Sequence, residues 1–219
     1  DKTVVNWLSD KEATKNEKQY AENESADANC WHGKNNSNIR NPDSPNKAID
    51  NNPDTLWHSA WNSDSEYSNC KNHEHYLEVT LKKESTINGF EYTGRKNADA
   101  GVLKKYRAEF FDSEGNLIGS TGSKTRSTGI TRDNYSTIGK VTLSFGQTFT
   151  EVSKVRIYFS ETLDTDGFAS CVQINFFYDP YAVYPEITHM TASEFAGHID
   201  DIGSCLLYTS PSPRDYAAS

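Results

Sequence analysis

Between His75 and Tyr178 the chain keeps returning to one pattern, short runs in which apolar and polar side chains alternate with a period close to two. The runs are HYLEVTL (75–81), INGFEYTGR (87–95), LKKYRAEFF (103–111), KVTLSF (140–145), SKVRIYF (153–159) and CVQINFFY (171–178). Successive side chains of a strand point to opposite faces, so this period sets one face against a core and the other toward water. Turn-forming stretches separate the runs: SEGN at 113–116, STGSKTRSTG at 120–129 and DTDG at 164–167. With no internal repeat and no alternation of strand and helix, the pattern specifies an all-β domain, an antiparallel β-sandwich or barrel. Composition agrees, because only 35% of residues are hydrophobic while 12% are aromatic, a balance that suits half-buried strands rather than a helical bundle. A net charge of -9 leaves no basic stripe for nucleic acid or an anionic membrane. No run of about 18 apolar residues is present, so no segment reads as a membrane-spanning helix.

Four regions follow. Residues 1–44 are polar and form an N-terminal extension of loops and turns that wraps the domain. Residues 45–178 hold the sandwich. Residues 179–203 are a linker or the start of a further domain, and Thr191 with Glu194 makes a capping box that predicts a short helix over 192–202. The stretch SCLLYTSPSPRDYAAS (204–219) matches neither composition and reads as a non-native tail from translated adaptor sequence. The chain opens on Asp1 without a signal peptide's charged start and apolar stretch, which reads as a fragment or a mature form.

One polar stretch stands ahead of the first strong strand, AIDNNPDTLWHSAWNS (48–63). Asp50, Asn52, Asp54 and Thr55 crowd oxygen atoms into six residues, the ligand type that a hard cation such as Ca²⁺ takes. From spacing alone the stretch is an Asx-type turn. Trp57 behind it reads as a core ring. His58 and Trp61, three apart, are expected on an exposed loop.

The order of WHSAW, HYLEVTL, INGFEYTGR, LKKYRAEFF-DSEG and GFASCVQINFF resembles the galactose-binding-like β-sandwich family, over roughly residues 45–178. That family includes the discoidin or coagulation-factor type C domains, and the chain is most similar to bacterial family 32 carbohydrate-binding modules. The resemblance implies a jelly-roll sandwich with a structural Ca²⁺ held by Ala48, Asp50, Asn52, Thr55 and Gln173. Gln173 stands where such modules usually place a Glu, and Asn51 where they place a Gly. It also implies a sugar site in which His58 bonds a hydroxyl, Trp61 stacks on a galactose-type ring, Arg95 makes a two-pronged hydrogen bond and Phe168 closes the site. Ala100 occupies the position of the usual Asn before Gly101, so Asn97 or Asp99 is expected to substitute. The implied protein is a non-catalytic, monomeric module for galactose or N-acetylgalactosamine glycans, attached to a bacterial glycoside hydrolase that is secreted or on the cell surface. The alternative on the same sandwich is an adhesion or lipid-binding discoidin-like domain.

Cys30, His32, Cys70 and His73 could supply four zinc ligands. In an exported protein a Cys30–Cys70 disulfide is the competing and favoured reading. Cys171, in the last strand, reads as a buried free thiol. Asp164 and Asp166 are paired carboxylates near Phe168, yet they sit two apart in one turn and do not suit a pair that straddles a glycosidic bond.

Overall fold

In the computed structural model, which describes residues 17–182 apart from 62, 63, 65, 66, 71, 72, 127 and 128, the alternating runs become strands and two pairs of them fuse. HYLEVTL and INGFEYTGR join into one strand, β4 (His75–Thr93), and KVTLSF and SKVRIYF into another, β8 (Lys140–Thr162). LKKYRAEFF is β5 (Leu103–Phe111). The final run divides into β9 (Ser170–Cys171) and β10 (Gln173–Tyr178). Shorter strands are β1 (Gln19–Tyr20), β2 (Asn23–Ala28), β3 (Trp57–His58), β6 (Leu117–Ser120) and β7 (Lys124–Thr125), and one helical turn, α1, covers Tyr67–Cys70.

All the pairings are antiparallel. The first half of β4, His75–Thr80, runs against Phe159–Lys154 of β8, and its second half, Gly89–Thr93, against Ser144–Lys140. The register shifts between Thr80 and Gly89, through the exposed polar stretch that separates the two runs in the sequence. Both long strands bend there, each contributing to the two layers of a sandwich. One layer adds β2, β5, β6 and β7 to the first half of β4, and the other adds β10 and β1 to the second half. Aromatic rings fill the space between layers. Phe90 meets Tyr106 edge-on at 5.0 Å, and Phe110 meets Phe145 at 4.8 Å and stacks on Phe149 at 3.7 Å. Such pairs contribute about 0.5–1.5 kcal/mol each beyond the area they bury.

The N-terminal stretch corrects the expectation of loop and turn. Residues 19–28 supply two edge strands, one pairing with β10 and one with β4. Their sequence, QYAENESADA, carries little hydrophobic signal because an edge strand buries one side only, and here alanines do it: Ala28 is buried, and Ala21 and Ala26 are packed against the core. The helix expected over 192–202 and the tail 204–219 lie outside the described residues.

Candidate functional site

The site begins with a two-residue strand. Trp57 and His58 of β3 pair with Cys171 and Ser170 of β9. Backbone bonds fix β3 on both sides: His32 N–H donates to His58 O (2.9 Å), His58 N–H to Asp43 O (3.3 Å) and Ser59 N–H to Ala169 O (2.8 Å). Trp57 is fully buried, with Nε1–H donating to the Cys30 carbonyl at 3.2 Å and its ring edge-on to Phe159.

His58 is not on an exposed loop. It is a strand residue only 2% exposed, because WHSAW begins as β3 and the imidazole is packed beside the rings of Trp61 and Phe168. Burial pushes its pKa down to about 4, so the ring is neutral at neutral pH and carries one N–H and one lone pair. Nδ1 lies 2.7 Å from the Ser59 carbonyl and 2.9 Å from Trp61 Nε1. One nitrogen cannot donate to the first and accept from the second. We assign the shorter contact, which places the proton on Nδ1 and leaves the lone pair on Nε2.

Trp61 is 40% exposed. One indole face is covered by His32, stacked at 4.1 Å with 10° between planes. His32 Nδ1 pairs with Asp64 Oδ2 at 2.7 Å, and the same oxygen accepts the Trp61 backbone N–H at 2.7 Å. Cys30, two residues before His32, is joined to Cys70 at the end of α1 by a disulfide. Both sulfurs are therefore engaged with each other rather than with zinc. The bridge ties α1, and with it Tyr67, to the segment that carries His32. Cys171 is a buried free thiol.

Together these elements line a cleft of about 300 Å³ formed by His58, Trp61, Tyr67, Arg95, Ala100, Asp166 and Phe168. Four of the five residues singled out for sugar binding thus come together: His58, Trp61, Arg95 and Phe168. Asn97 does not line this cleft. Its Oδ1 accepts Nε–H of Arg95 at 3.1 Å, and it faces an adjoining cleft on the other side of that arginine. Tyr67 and Asp166 are members that the sequence did not single out for binding. Tyr67 is held at this edge by the turn that follows Trp61, in which Asp64 N–H donates to Trp61 O (2.9 Å) and Tyr67 N–H to Asp64 O (3.1 Å), and by the Cys30–Cys70 bridge at the far end of α1.

Asp164 shapes the loop. Its Oδ2 accepts the Gly101 N–H at 2.7 Å and the Thr162 hydroxyl at 3.0 Å, and its Oδ1 accepts the N–H groups of Asp166 (3.0 Å) and Phe168 (3.1 Å). A carboxylate saturated in this way holds Phe168 in place. Gly101, with φ +75°, lets the loops touch, since a Cβ there would lie 2.5 Å from the Ala169 carbonyl carbon and the Ser170 nitrogen.

Around Asp50 the donors are all oxygen. Asp50 Oδ1 accepts the Asn52 N–H (2.8 Å), Oδ2 accepts the Thr55 hydroxyl (2.7 Å), and Gln173 Oε1 accepts the Asn51 N–H (2.9 Å). Asn51 takes φ 59°, a left-handed conformation that Asn tolerates better than most residues. Asp50, Thr55 and Gln173 thus converge on one turn, and their hard oxygen chemistry fits a hard cation with Asp50 as the sole carboxylate among them.

The family model for the F5/8 type C domain matches residues 32–174, about two thirds of the chain. The chain belongs to the F5/8 type C domain family. Among curated proteins no sequence matches it. Solved structures share the fold of this F5/8 type C domain at low identity. A family 32 carbohydrate-binding module from Clostridium perfringens NanJ, in complex with galactose, is 21% identical with a TM-score of 0.52, over 74% of this chain and 100% of that one. A second C. perfringens module, in complex with GalNAc-β-1,3-galactose, is also 21% identical, with a TM-score of 0.54 over 70% of this chain and 94% of that one. A third, from a family 31 glycoside hydrolase of the same organism, is 19% identical with a TM-score of 0.55, covering 71% and 90%.

Proposed function

We propose that this F5/8 type C domain is a non-catalytic carbohydrate-binding module for galactose- or N-acetylgalactosamine-type glycans. The observation that carries the reading is the cleft itself, in which the indole of Trp61 and the rings of Phe168 and Tyr67 share one opening with His58, Arg95 and Asp166. A pyranose has an apolar C–H face that packs on an aromatic plane, and hydroxyls that need directional partners. A neutral His58 offers the acceptor lone pair of Nε2, Arg95 a fork of donors, and Asp166 an acceptor. His32 behind Trp61 holds the indole as a rigid plane, so little side-chain freedom is lost when a sugar settles on it.

The turn at Asp50 would hold a structural Ca²⁺ through Ala48, Asp50, Asn52, Thr55 and Gln173. The ion would supply charge that fixes the turn leading into Trp57. The Cys30–Cys70 bridge supports an exported location, and the module would serve a larger secreted or surface-bound bacterial glycoside hydrolase.

The test is calorimetric titration with methyl β-galactoside and N-acetylgalactosamine. The cleft is small and open, so the expected Kd lies roughly between millimolar and tens of micromolar, about 4–7 kcal/mol. Trp61→Ala should remove measurable binding while the melting curve keeps its shape. Arg95→Lys should weaken binding about tenfold, because an ammonium cannot reproduce the fork. A parent protein that binds no glycan yet adheres to anionic vesicles would overturn the reading in favour of a lipid-binding discoidin-like domain.

A further inference from the structure

Among the described residues Arg126, directly after β7, is the one arginine or lysine that the fold buries, at 3% exposed. Its N–H donates to the Lys104 carbonyl at 2.9 Å, which extends the β5–β7 pairing by one residue with the side chain inward. The guanidinium lies over the Tyr92 ring at 5.6 Å, and Nη1–H reaches the Leu103 carbonyl at 3.4 Å. Nε and Nη2 are buried and donate to no group of the protein. These two nitrogens form one edge of the planar group, the edge that forks around an anion. Among the described residues no carboxylate pairs with Arg126, and Tyr92 is the titratable group that acts on it. Arg40, Lys83 and Lys96 also lack an ion pair among the described residues, but they are exposed, so water solvates them. The buried carboxylate of Glu91, by contrast, holds Lys140, Lys18 and the Tyr20 hydroxyl. Arg126 alone is both sealed from water and without a counter-charge.

A buried lysine or histidine can shed its charge with a proton, but a guanidinium stays charged at any pH a folded protein meets. Water on the fork would accept two hydrogen bonds and leave that charge uncompensated, so a buried cation of this kind favours an anion. We propose that Arg126 is a structural anion site, in which a small monovalent anion such as chloride accepts Nε–H and Nη2–H together. Both nitrogens are closed off from solvent, so the occupant is monatomic or nearly so. Thr125 and Gly129 on either side are exposed, which places the fork a single layer beneath the surface and within reach of an ion from solution. Arg126 lines neither cleft beside Arg95, so the site stands apart from the sugar-binding reading above. The ion completes the corner where Arg126, the Leu103 carbonyl and Tyr92 meet. From that corner the Tyr92 hydroxyl donates to Ser170 O (3.0 Å) and accepts the Leu103 N–H (3.1 Å), so the ion steadies the backing of β9 and the start of β5.

Calorimetric melts of the parent and of Arg126→Met, which removes the charge and keeps an extended side chain, test this directly. Chloride is exchanged for gluconate at constant ionic strength, gluconate being too large for the fork. A site half filled at about 10 mM chloride should raise the parent's melting temperature by about 3–6 °C between about 1 and about 150 mM chloride. Arg126→Met should lack that rise, and the comparison removes any general effect of the two salts on stability. In crystals of the parent grown with bromide, an anomalous peak should lie between Nε and Nη2 of Arg126. Equal responses of parent and variant to chloride overturn the site. So does a water molecule, or a carboxylate of the chain, found on the fork in the bromide crystal. Should Arg126→Met fail to fold, the bromide crystal decides alone, a peak on the fork upholding the site and any other occupant overturning it.

Discussion

Breaking the Cys30–Cys70 bridge should cost this domain both stability and its grip on a ligand. The two cysteines are 40 residues apart in sequence. Closing a loop of that length in the unfolded chain removes entropy equivalent to about 4 kcal/mol at 25 °C. A domain of this size shifts its melting temperature by about 2–4 °C per kcal/mol, so the reduced protein should melt about 8–16 °C lower. Both sulfurs are buried, so reduction has to be done in the unfolded state, followed by refolding in the presence of a phosphine reductant. Calorimetric melts of oxidised and reduced protein give the first readout, and galactoside titration at 15 °C, where both are folded, gives the second. The bridge positions Tyr67 and the segment that carries His32 behind Trp61, so the reduced protein should bind several-fold more weakly. A drop of less than about 2 °C would refute the loop-closure reasoning. A large drop with unchanged affinity would refute the idea that the bridge positions the cleft.

The remaining expectations concern protons, packing and the cation. Burial pushes His58 and His75 each down to about 4, whereas in the unfolded chain they titrate near 6.5. Between those values the unfolded state holds protons that the folded state refuses, so stability should fall as pH drops from about 6.5 toward 4, then level off. Unfolding free energies from urea melts at pH 7 and pH 5 should differ by up to about 2 kcal/mol per histidine, and His75→Gln should reduce the difference. Gly101→Ala should destabilise by about 2–4 kcal/mol and displace the Phe168 loop, measured by denaturation and by loss of galactoside binding, because the new Cβ collides with backbone at 2.5 Å. A chelator should lower the melting temperature in calcium-free buffer. Gln173→Glu, which adds a second carboxylate to the Asp50 turn, should enlarge the stabilisation by Ca²⁺, and identical melts with and without the ion in both proteins would remove the metal from this turn.

Much of the sandwich can be read from the alternation alone, because a one-face-buried strand writes its period into the sequence. Leu103–Phe111 is an example, the strand coinciding with the run. What stays hidden has a physical cause in each case. The edge strand β2 buries alanines instead of large side chains, and β1, β6 and β7 are too short and too exposed to show a period. Within the cleft, His58, Trp61, Arg95 and Phe168 are legible through the order of motifs. Tyr67 is placed by the turn through Asp64 together with a disulfide between cysteines 40 apart, and His32 by a stack that joins residues 29 apart. The two long-range contacts have no local signature. The placement of Asn97 depends on which side of Arg95 the chain passes after β4, and spacing does not encode that.

Strands β4 and β8 each run through both layers, and this has a mechanical consequence. In a sandwich whose sheets are joined only by loops, one sheet can peel from the other while its own ladder stays intact. Here neither sheet owns its central strands, so the backbone of β4 and β8 itself joins the layers, and parting them means straightening both strands together between Thr80 and Gly89. The two faces open together or not at all, as a single cooperative unit. A tether pulled through this domain would therefore meet one rigid block, and a ligand held at its rim would be released by its own dissociation rather than by any slackening of the scaffold.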